Sequence, residues 1–197
     1  YLKVSVNMES IIKTRNMINE HEKSKVSMNA FFIKFCAEAL KRHPQINASW
    51  KGDTIEKFAQ VDIGLAVARP DGLVVPVVRN CENKGIVEID KEIKKLLEKA
   101  ENNKLMPEDF QNATFTISNL GSFGIEEFTA IINPPGSAIL AIGAIVKEAI
   151  VEGENIVIRS QSKMTLSCDH RIIDGATGAL FLKDLKDAME NPMRLLL

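Results

Sequence analysis

Residues that build metal centres and disulfide frameworks are scarce in this sequence. Three cysteines and three histidines occur in 197 residues. The cysteines are Cys36, Cys81 and Cys168, and the histidines are His21, His43 and His170. The cysteines lack CxxC spacing and two of them lie in apolar segments, which is typical of reduced thiols in a cytosol-like compartment. The histidines are far apart in the sequence, so we expect no histidine-rich metal site.

The sequence also lacks an excess of charge of either sign and any long hydrophobic run. Its 25 Lys and Arg residues nearly balance 26 Asp and Glu residues, which leaves a formal net charge of -1. Nucleic-acid and anionic-membrane binders usually carry a basic surface, so we expect neither partner. No apolar run reaches the ~18 residues of a membrane span, and no secretory leader precedes the folded pattern. These absences predict a soluble cytoplasmic protein, or a mitochondrial matrix protein if the source is eukaryotic.

The hydrophobic pattern predicts one α/β domain over residues 1–197, because no repeat or linker divides the chain. The predicted helices run from an N-cap at Asn7 to about Glu22, from an N-cap at Ser27 to Pro44, and over 86–100 and 175–190. The predicted strands are the hairpin 46–50 and 54–58, then 61–67, 73–78 after a turn at 70–72, 113–118, 129–132, 138–149, 155–159 and 163–168. Uninterrupted βαβ alternation is absent, so we expect a two-layer sandwich with a mixed sheet and flanking helices.

A histidine stands where the last predicted strand ends. Residues 163–168 alternate in polarity and lead into Asp169, His170 and Arg171, followed by Asp174 and a glycine. From the rigid end of a strand, the His170 ring can project into a cleft. The neighbouring charged side chains can fix its tautomer or hold the loop. His170 is therefore a candidate general base, and a loop histidine among solvated charges is the alternative.

Three other chemistries compete for the same residues. A Cys168–His170 nucleophilic pair is disfavoured because residues two apart on a strand are about 6.6 Å apart. A metal site on His170 and Asp174 lacks a third ligand at suitable spacing. A Ser-His-Asp hydrolase needs a nucleophile elbow, and the sequence contains no G-x-S-x-G.

A second candidate element is the strand and glycine-bearing loop over residues 114–124. Glycine permits close approach of the backbone to a ligand. Ser118 offers a hydroxyl donor and Asn119 an amide at the end of the strand. An ordinary strand-to-loop turn has the same features, so this element alone is a weak signal of function.

Together the two elements resemble a known family. Residues 167–176 read SCDHRIIDGA, which resembles the DHRxxDG signature in the catalytic domain of the dihydrolipoamide acyltransferases of 2-oxoacid dehydrogenase complexes. Chloramphenicol acetyltransferase shares the fold and the histidine of that motif. Further segments fit the family in order, namely 47–50, 70–76, 114–124, 131–135 and 195–197. The resemblance covers nearly the whole chain and implies the coenzyme A-dependent acyltransferase fold.

The resemblance also implies roles for individual residues. His170 matches the family's catalytic base, Asp174 the second acidic position of the motif, and Ser118 the hydroxyl placed on the tetrahedral oxyanion. Asn119 falls in a stretch that lines the coenzyme A site. Asp174 either orients the loop, pairs with Arg171 or supports the imidazole. The implied substrates are coenzyme A and a lipoyl group, with acetyl as the expected acyl group and no metal.

Family members are homotrimers with active sites between subunits, and the trimers build cubic or icosahedral cores. The resemblance therefore implies lipoyl domains and the E1 and E3 dehydrogenase components as partners. The N-terminal arm, the lipoyl domain and the subunit-binding domain of the family are not expected in this chain, so lipoylation and docking would lie outside it. Two alternatives stay open: a free-standing trimeric acetyltransferase of the chloramphenicol type, and a non-catalytic scaffold core.

Overall fold

The structure, a computed structural model, describes residues 1–70 and 72–196. Its strands are β1 Leu2–Asn7, β2 Ala48–Trp50, β3 Ile55–Lys57, β4 Ile63–Arg69, β5 Gly72–Val74, β6 Val77–Val78, β7 Phe115–Asn119, β8 Ala138–Glu152 and β9 Asn155–Cys168. Its helices are α1 Glu9–His21, α2 Met28–Arg42, α3 Ile86–Glu101, α4 Pro107–Phe110 and α5 Gly175–Glu190. No helix in these ranges is long and apolar enough to cross a membrane.

The strands form a mixed sheet, as the sequence predicts. Its strand order is β1-β9-β8-β7-β4-β5, and β6 also pairs with β4. Strands β4, β7 and β8 run parallel, whereas β1, β5, β6 and β9 pair in antiparallel fashion with their neighbours. β2 and β3 form a separate antiparallel hairpin.

The helices pack on one face of the sheet and enclose the hydrophobic core. Alternation along β7 directs Phe115 and Ile117 into this core. α2 supplies the largest buried set, including Phe31 and Phe35, and the Ser27 hydroxyl accepts a hydrogen bond from its first turn. The opposite face of β7 carries small polar side chains, among them Ser118. The predicted two-layer arrangement is therefore confirmed.

A segment without regular secondary structure lies across that opposite face. We call residues 125–136 the covering segment. The Ala130 carbonyl accepts a hydrogen bond of 2.7 Å from the Ser167 hydroxyl of β9, and the Ile125 carbonyl accepts one of 2.7 Å from the Ala144 amide of β8. At Gly143 a Cβ atom would overlap the Glu126 carbonyl oxygen, so only glycine allows this close approach.

Several predicted elements differ from those observed. The prediction of a strand at 129–132 was wrong, because these residues belong to the covering segment. Strands predicted at 155–159 and 163–168 are one continuous strand, β9. The N-cap of α1 is Met8 and not Asn7. Asn7 is the last residue of β1, and its side chain still accepts a hydrogen bond from the Glu9 amide. Asp71, in the predicted turn, and Leu197, in the last resembling segment, lie outside the described residues.

Candidate active site

His170 lies in a tight turn between β9 and α5. The amide of Asp169 donates to the Ser137 carbonyl at 2.8 Å, which fixes the start of the turn. The Asp169 carbonyl accepts hydrogen bonds from the amides of Ile172 and Ile173 at 3.0 and 2.9 Å. These bonds hold the backbone on both sides of His170 and leave the histidine exposed. The imidazole thus projects from a braced turn at the edge of the protein.

Asp174 caps the helix that follows the turn. Its carboxylate accepts a 2.7 Å hydrogen bond from the Thr177 amide at the N-terminus of α5. Hydrogen bonds from the backbone and side chain of Thr177 lower the pKa of Asp174, and the nearby charge of His170 contributes in the same direction. Arg171 instead pairs with Asp169, at 2.6 Å. Of the roles considered for Asp174, pairing with Arg171 is therefore wrong, and orienting the loop fits the geometry.

Trp50 lies in the same region, although its position in the sequence gave no reason to expect it at the site. The Arg171 guanidinium carbon lies 5.2 Å from the centroid of the Trp50 ring. Trp50 ends β2, in a segment that the sequence shares with the resembling family. The available signal was that residues 47–50 fit the family. Nothing in the sequence linked this segment to a histidine more than a hundred residues away.

Ser118 lines a cavity of about 330 Å³ on the sheet face opposite the helices. Its neighbours across the sheet are Ala66 on β4 and Ala141 on β8. Their small side chains leave space above the Ser118 hydroxyl. The remaining walls come from β5, the neighbouring sheet strands and the covering segment, including Leu73, Ile139 and Ile132, so the cavity is mainly apolar.

The side-chain amide of Asn119 forms hydrogen bonds within the protein. Its Nδ2 donates to the Asn29 Oδ1 at 2.8 Å, and its Oδ1 accepts from the Gly121 amide at 2.9 Å. These bonds join the end of β7 to the start of α2 and to the turn that follows the strand. In this geometry, Asn119 braces the chain beside Ser118.

His170 and Ser118 belong to different parts of the sheet in one chain: Ser118 lies on β7, and His170 follows β9, two strands away. Ser118 is level with Ala141 on β8 and Thr165 on β9. At roughly 4.8 Å per strand and 3.3 Å per residue, the Cα atoms of Ser118 and Cys168 are about 14 Å apart. His170 lies beyond Cys168, and the covering segment occupies the sheet face between the two sites. The chain does not bring His170 and Ser118 together.

The cysteines have the properties of core thiols. Cys36 and Cys81 are buried, and Cys168 is half-buried. Burial raises the pKa of Cys81 to about 12 and that of Cys168 to about 11. Such thiols are almost fully protonated near neutral pH, which disfavours a Cys168 nucleophile. Within residues 1–70 and 72–196, no three His, Cys, Asp or Glu side chains are grouped as metal ligands would be.

The whole chain is similar to proteins of a known family. All 197 residues match the family model of the 2-oxoacid dehydrogenases acyltransferase (catalytic domain). The chain is 45% identical over 201 residues to the dihydrolipoyllysine-residue acetyltransferase component of the pyruvate dehydrogenase complex of Rickettsia conorii. That alignment covers 100% of this chain and 49% of the relative, so the chain spans about half the length of the curated protein.

Several solved protein structures have the same fold as this chain. The cubic core of a pyruvate dehydrogenase multienzyme complex aligns with a TM-score of 0.95 and 34% identity, covering 100% of this chain and 83% of that one. A chloramphenicol acetyltransferase aligns with a TM-score of 0.62 and 14% identity, covering 95% and 86%. The latter likeness concerns the fold alone and confirms the predicted acyltransferase fold.

Proposed function

Because the chain belongs to the 2-oxoacid dehydrogenase acyltransferase family, whose catalytic domain it matches throughout, we propose that it transfers an acetyl group between a dihydrolipoyl thiol and coenzyme A. The observation that carries the proposal is the exposed His170 imidazole on a turn braced between β9 and α5. The similar Rickettsia protein is named an acetyltransferase, which supports acetyl as the acyl group. Coenzyme A and the lipoyl group are the substrates, and the proposed chemistry uses no metal.

His170 acts as the general base in this proposal. A thiol with a pKa near ~8.5 is mostly protonated at neutral pH, whereas neutral imidazole can accept its proton. As the His170 ring takes the proton, the thiol sulfur attacks the carbonyl carbon of the acetyl thioester and a new C–S bond forms. The carboxylate of Asp174 caps α5 and so helps to hold the turn that carries the imidazole.

Ser118 acts on the opposite side of the reacting carbonyl. The attack leaves a tetrahedral oxyanion, to which the Ser118 hydroxyl donates a hydrogen bond. One such donor is worth about 2.7–4 kcal/mol in the transition state. When the oxyanion collapses, the original C–S bond breaks and the imidazolium returns its proton to the leaving sulfur. The acetyl group passes directly from one thiol to the other, without an acyl-enzyme.

The two residues would act together only across a subunit interface. In one chain, β8, β9 and the covering segment separate Ser118 from His170. We therefore propose a homotrimer in which His170 of one subunit faces Ser118 of the next, built into a cubic or icosahedral core. A similar solved structure is titled a cubic core, which supports such an assembly. Lipoyl domains and the E1 and E3 components are the partners that we propose for this core.

An acyl-coenzyme A panel with dihydrolipoamide as acceptor tests the proposal. We expect the fastest transfer with acetyl-coenzyme A, and a decrease of about 10²–10⁴-fold in kcat for His170→Ala. His21→Ala is the matched control because this exposed histidine ends α1 and should leave kcat unchanged. Full activity of His170→Ala in a correctly assembled protein would refute the mechanism. The absence of transfer with every donor would favour a scaffold role instead.

A further inference from the structure

The side chains of Asp169, Arg171 and Trp50 contact one another beside the turn that carries His170. Arg171 donates from Nε to the Asp169 carboxylate at 2.9 Å and from Nη2 at 2.6 Å. Its backbone amide also donates to the same carboxylate, at 3.1 Å. On the other side, the Trp50 ring lies 5.2 Å from the guanidinium carbon, at cation–π distance. Arg171 is therefore held between a carboxylate and an aromatic face. We call Asp169, Arg171 and Trp50 the arginine clamp.

The residues just before Trp50, at the start of the β2–β3 hairpin, are buried. Asn47 and Ser49, just before Trp50, are 2% and 3% exposed. The Asn47 amide donates to the carbonyls of Phe58 and Gln60 at 3.2 and 2.8 Å, which closes the β2–β3 hairpin at its base. The indole is consequently presented from a fixed position rather than from a loose loop.

A second path connects the same base to the His170 turn. The Ser137 hydroxyl donates to the Ile46 carbonyl at 3.1 Å, and the Ser137 carbonyl accepts from the Asp169 amide. The hairpin base and the turn are thus joined twice, once through Ser137 and once through the arginine clamp. Only the clamp depends on side chains at the surface, because the Arg171 side chain is 61% exposed.

The charges of the clamp explain why it holds the turn rather than takes part in the reaction. The Asp169 carboxylate neutralises the guanidinium and occupies its Nε and Nη2 donors. An exposed pair gains little from charge alone, and an arginine side chain loses rotamer freedom when it is fixed. A flat ring that covers one guanidinium face reduces the conformations available to Arg171. The Trp50 contact therefore restricts the Arg171 side chain more than an exposed ion pair alone would.

We propose that Trp50 and Arg171 are positioning residues for His170, with Asp169 as their anchor. This inference rests on the proposed acyl transfer, in which the imidazole must meet a thiol at hydrogen-bond distance. Misplacement of a catalytic group by about 1 Å can cost 10²-fold in rate. Loosening the clamp should therefore lower kcat while the affinity for both substrates stays the same.

Three variants of the purified, assembled protein test the clamp. Trp50→Leu removes the aromatic face, and we expect roughly a 10-fold lower kcat with KM for coenzyme A and dihydrolipoamide unchanged. Trp50→Phe keeps a ring under the guanidinium and should recover most of the rate. Arg171→Lys cannot form the bidentate contact and should resemble Trp50→Leu. Arg159→Lys is the matched control, because Arg159 forms a bidentate pair with Glu152 on the distant β8–β9 hairpin.

Amide hydrogen exchange over residues 169–173, measured by mass spectrometry, gives a readout that does not depend on turnover. We expect faster exchange in Trp50→Leu and Arg171→Lys than in wild type, and no change in Arg159→Lys. A raised KM with unchanged kcat would overturn positioning and indicate direct substrate binding by Arg171. Unchanged exchange would also overturn it. If wild type transfers no acyl group, the proposed function fails, whereas the exchange result still decides whether the clamp orders the turn.

Discussion

At the scale of single residues, the two acids around His170 have different tasks. The Asp169 carboxylate accepts hydrogen bonds from the Arg171 side chain. The Asp169 carbonyl accepts hydrogen bonds from the two amides that close the turn. The Asp174 carboxylate accepts a hydrogen bond from the Thr177 amide, so Asp174 is the N-cap of α5. Removing an N-cap of this kind typically costs about 0.5–2 kcal/mol, so the second acid of the motif also stabilises the fold. Each acid thus reaches the imidazole through the backbone it holds.

Cys168 allows a prediction at this scale. Burial raises the pKa of its thiol to about 11, so roughly one molecule in a thousand carries the thiolate at pH 8. We expect Cys168→Ala to keep the wild-type kcat. We also expect alkylation of this thiol by iodoacetamide to be slow at pH 8 and to accelerate as the pH approaches 11, because deprotonation then supplies the nucleophile. Peptide mass spectrometry measures the alkylation. A large loss of kcat in Cys168→Ala would revive the cysteine mechanism.

At the scale of elements, the covering segment shows how a strand-like sequence can remain irregular. Residues 129–132 have the composition of a strand, but they lie over the face of the sheet and not at its edge. A strand needs a free edge to pair with, and the neighbouring β7, β8 and β9 already pair with each other. The segment satisfies part of its backbone through the Ser167 hydroxyl instead. In this position it forms one wall of the cavity beside Ser118.

Gly143 provides the test of this packing. We expect Gly143→Ala to lower the free energy of unfolding by about 1–3 kcal/mol, because the new methyl group overlaps the Glu126 carbonyl and the segment must move. Denaturant unfolding measures the loss, and amide exchange over 125–136 should increase. Gly175→Ala is the control, since a Cβ there meets nothing within 4 Å. Equal stability of wild type and Gly143→Ala would contradict the role assigned to this contact.

At the scale of the whole molecule, the surface around the Ser118 cavity is incompletely covered. Leu73 and Ile131 line the cavity and are 67% and 92% exposed. Large apolar side chains at the rim of a candidate active site are typical of an interaction surface. Together with the distance between Ser118 and His170, they favour a neighbouring copy that completes the site.

Co-expression of two inactive variants tests this arrangement. In the proposed trimer, His170→Ala and Ser118→Ala each damage every site of their own assemblies. In a mixed trimer, one of the three interfaces combines an intact His170 with an intact Ser118. Random mixing in equal amounts should therefore restore about a quarter of the wild-type activity. The assay compares the co-expressed protein with the same variants purified separately and then combined without exchange. If activity does not rise above the two parents, the site lies within one chain.

Local signals in the sequence determined much of the fold. We predicted α2, α3 and α5 close to their observed limits because apolar periodicity and a cap such as Ser27 act within a few residues of the chain. The motif around His170 was likewise visible, since its residues are contiguous. The N-cap of α1 was misplaced by one residue because β1 continues through Asn7.

Only the tertiary structure decided which distant groups meet. It brought Trp50 to Arg171, assigned Arg171 to Asp169 rather than Asp174, placed residues 129–132 over the sheet, and separated Ser118 from His170. Spacing along the chain carries no information about these contacts, because each depends on which strands pair and which face of the sheet remains open. The sequence by itself therefore determined the elements and the residues able to react. The packing of the sheet determined their partners and placed Ser118 and His170 two strands apart.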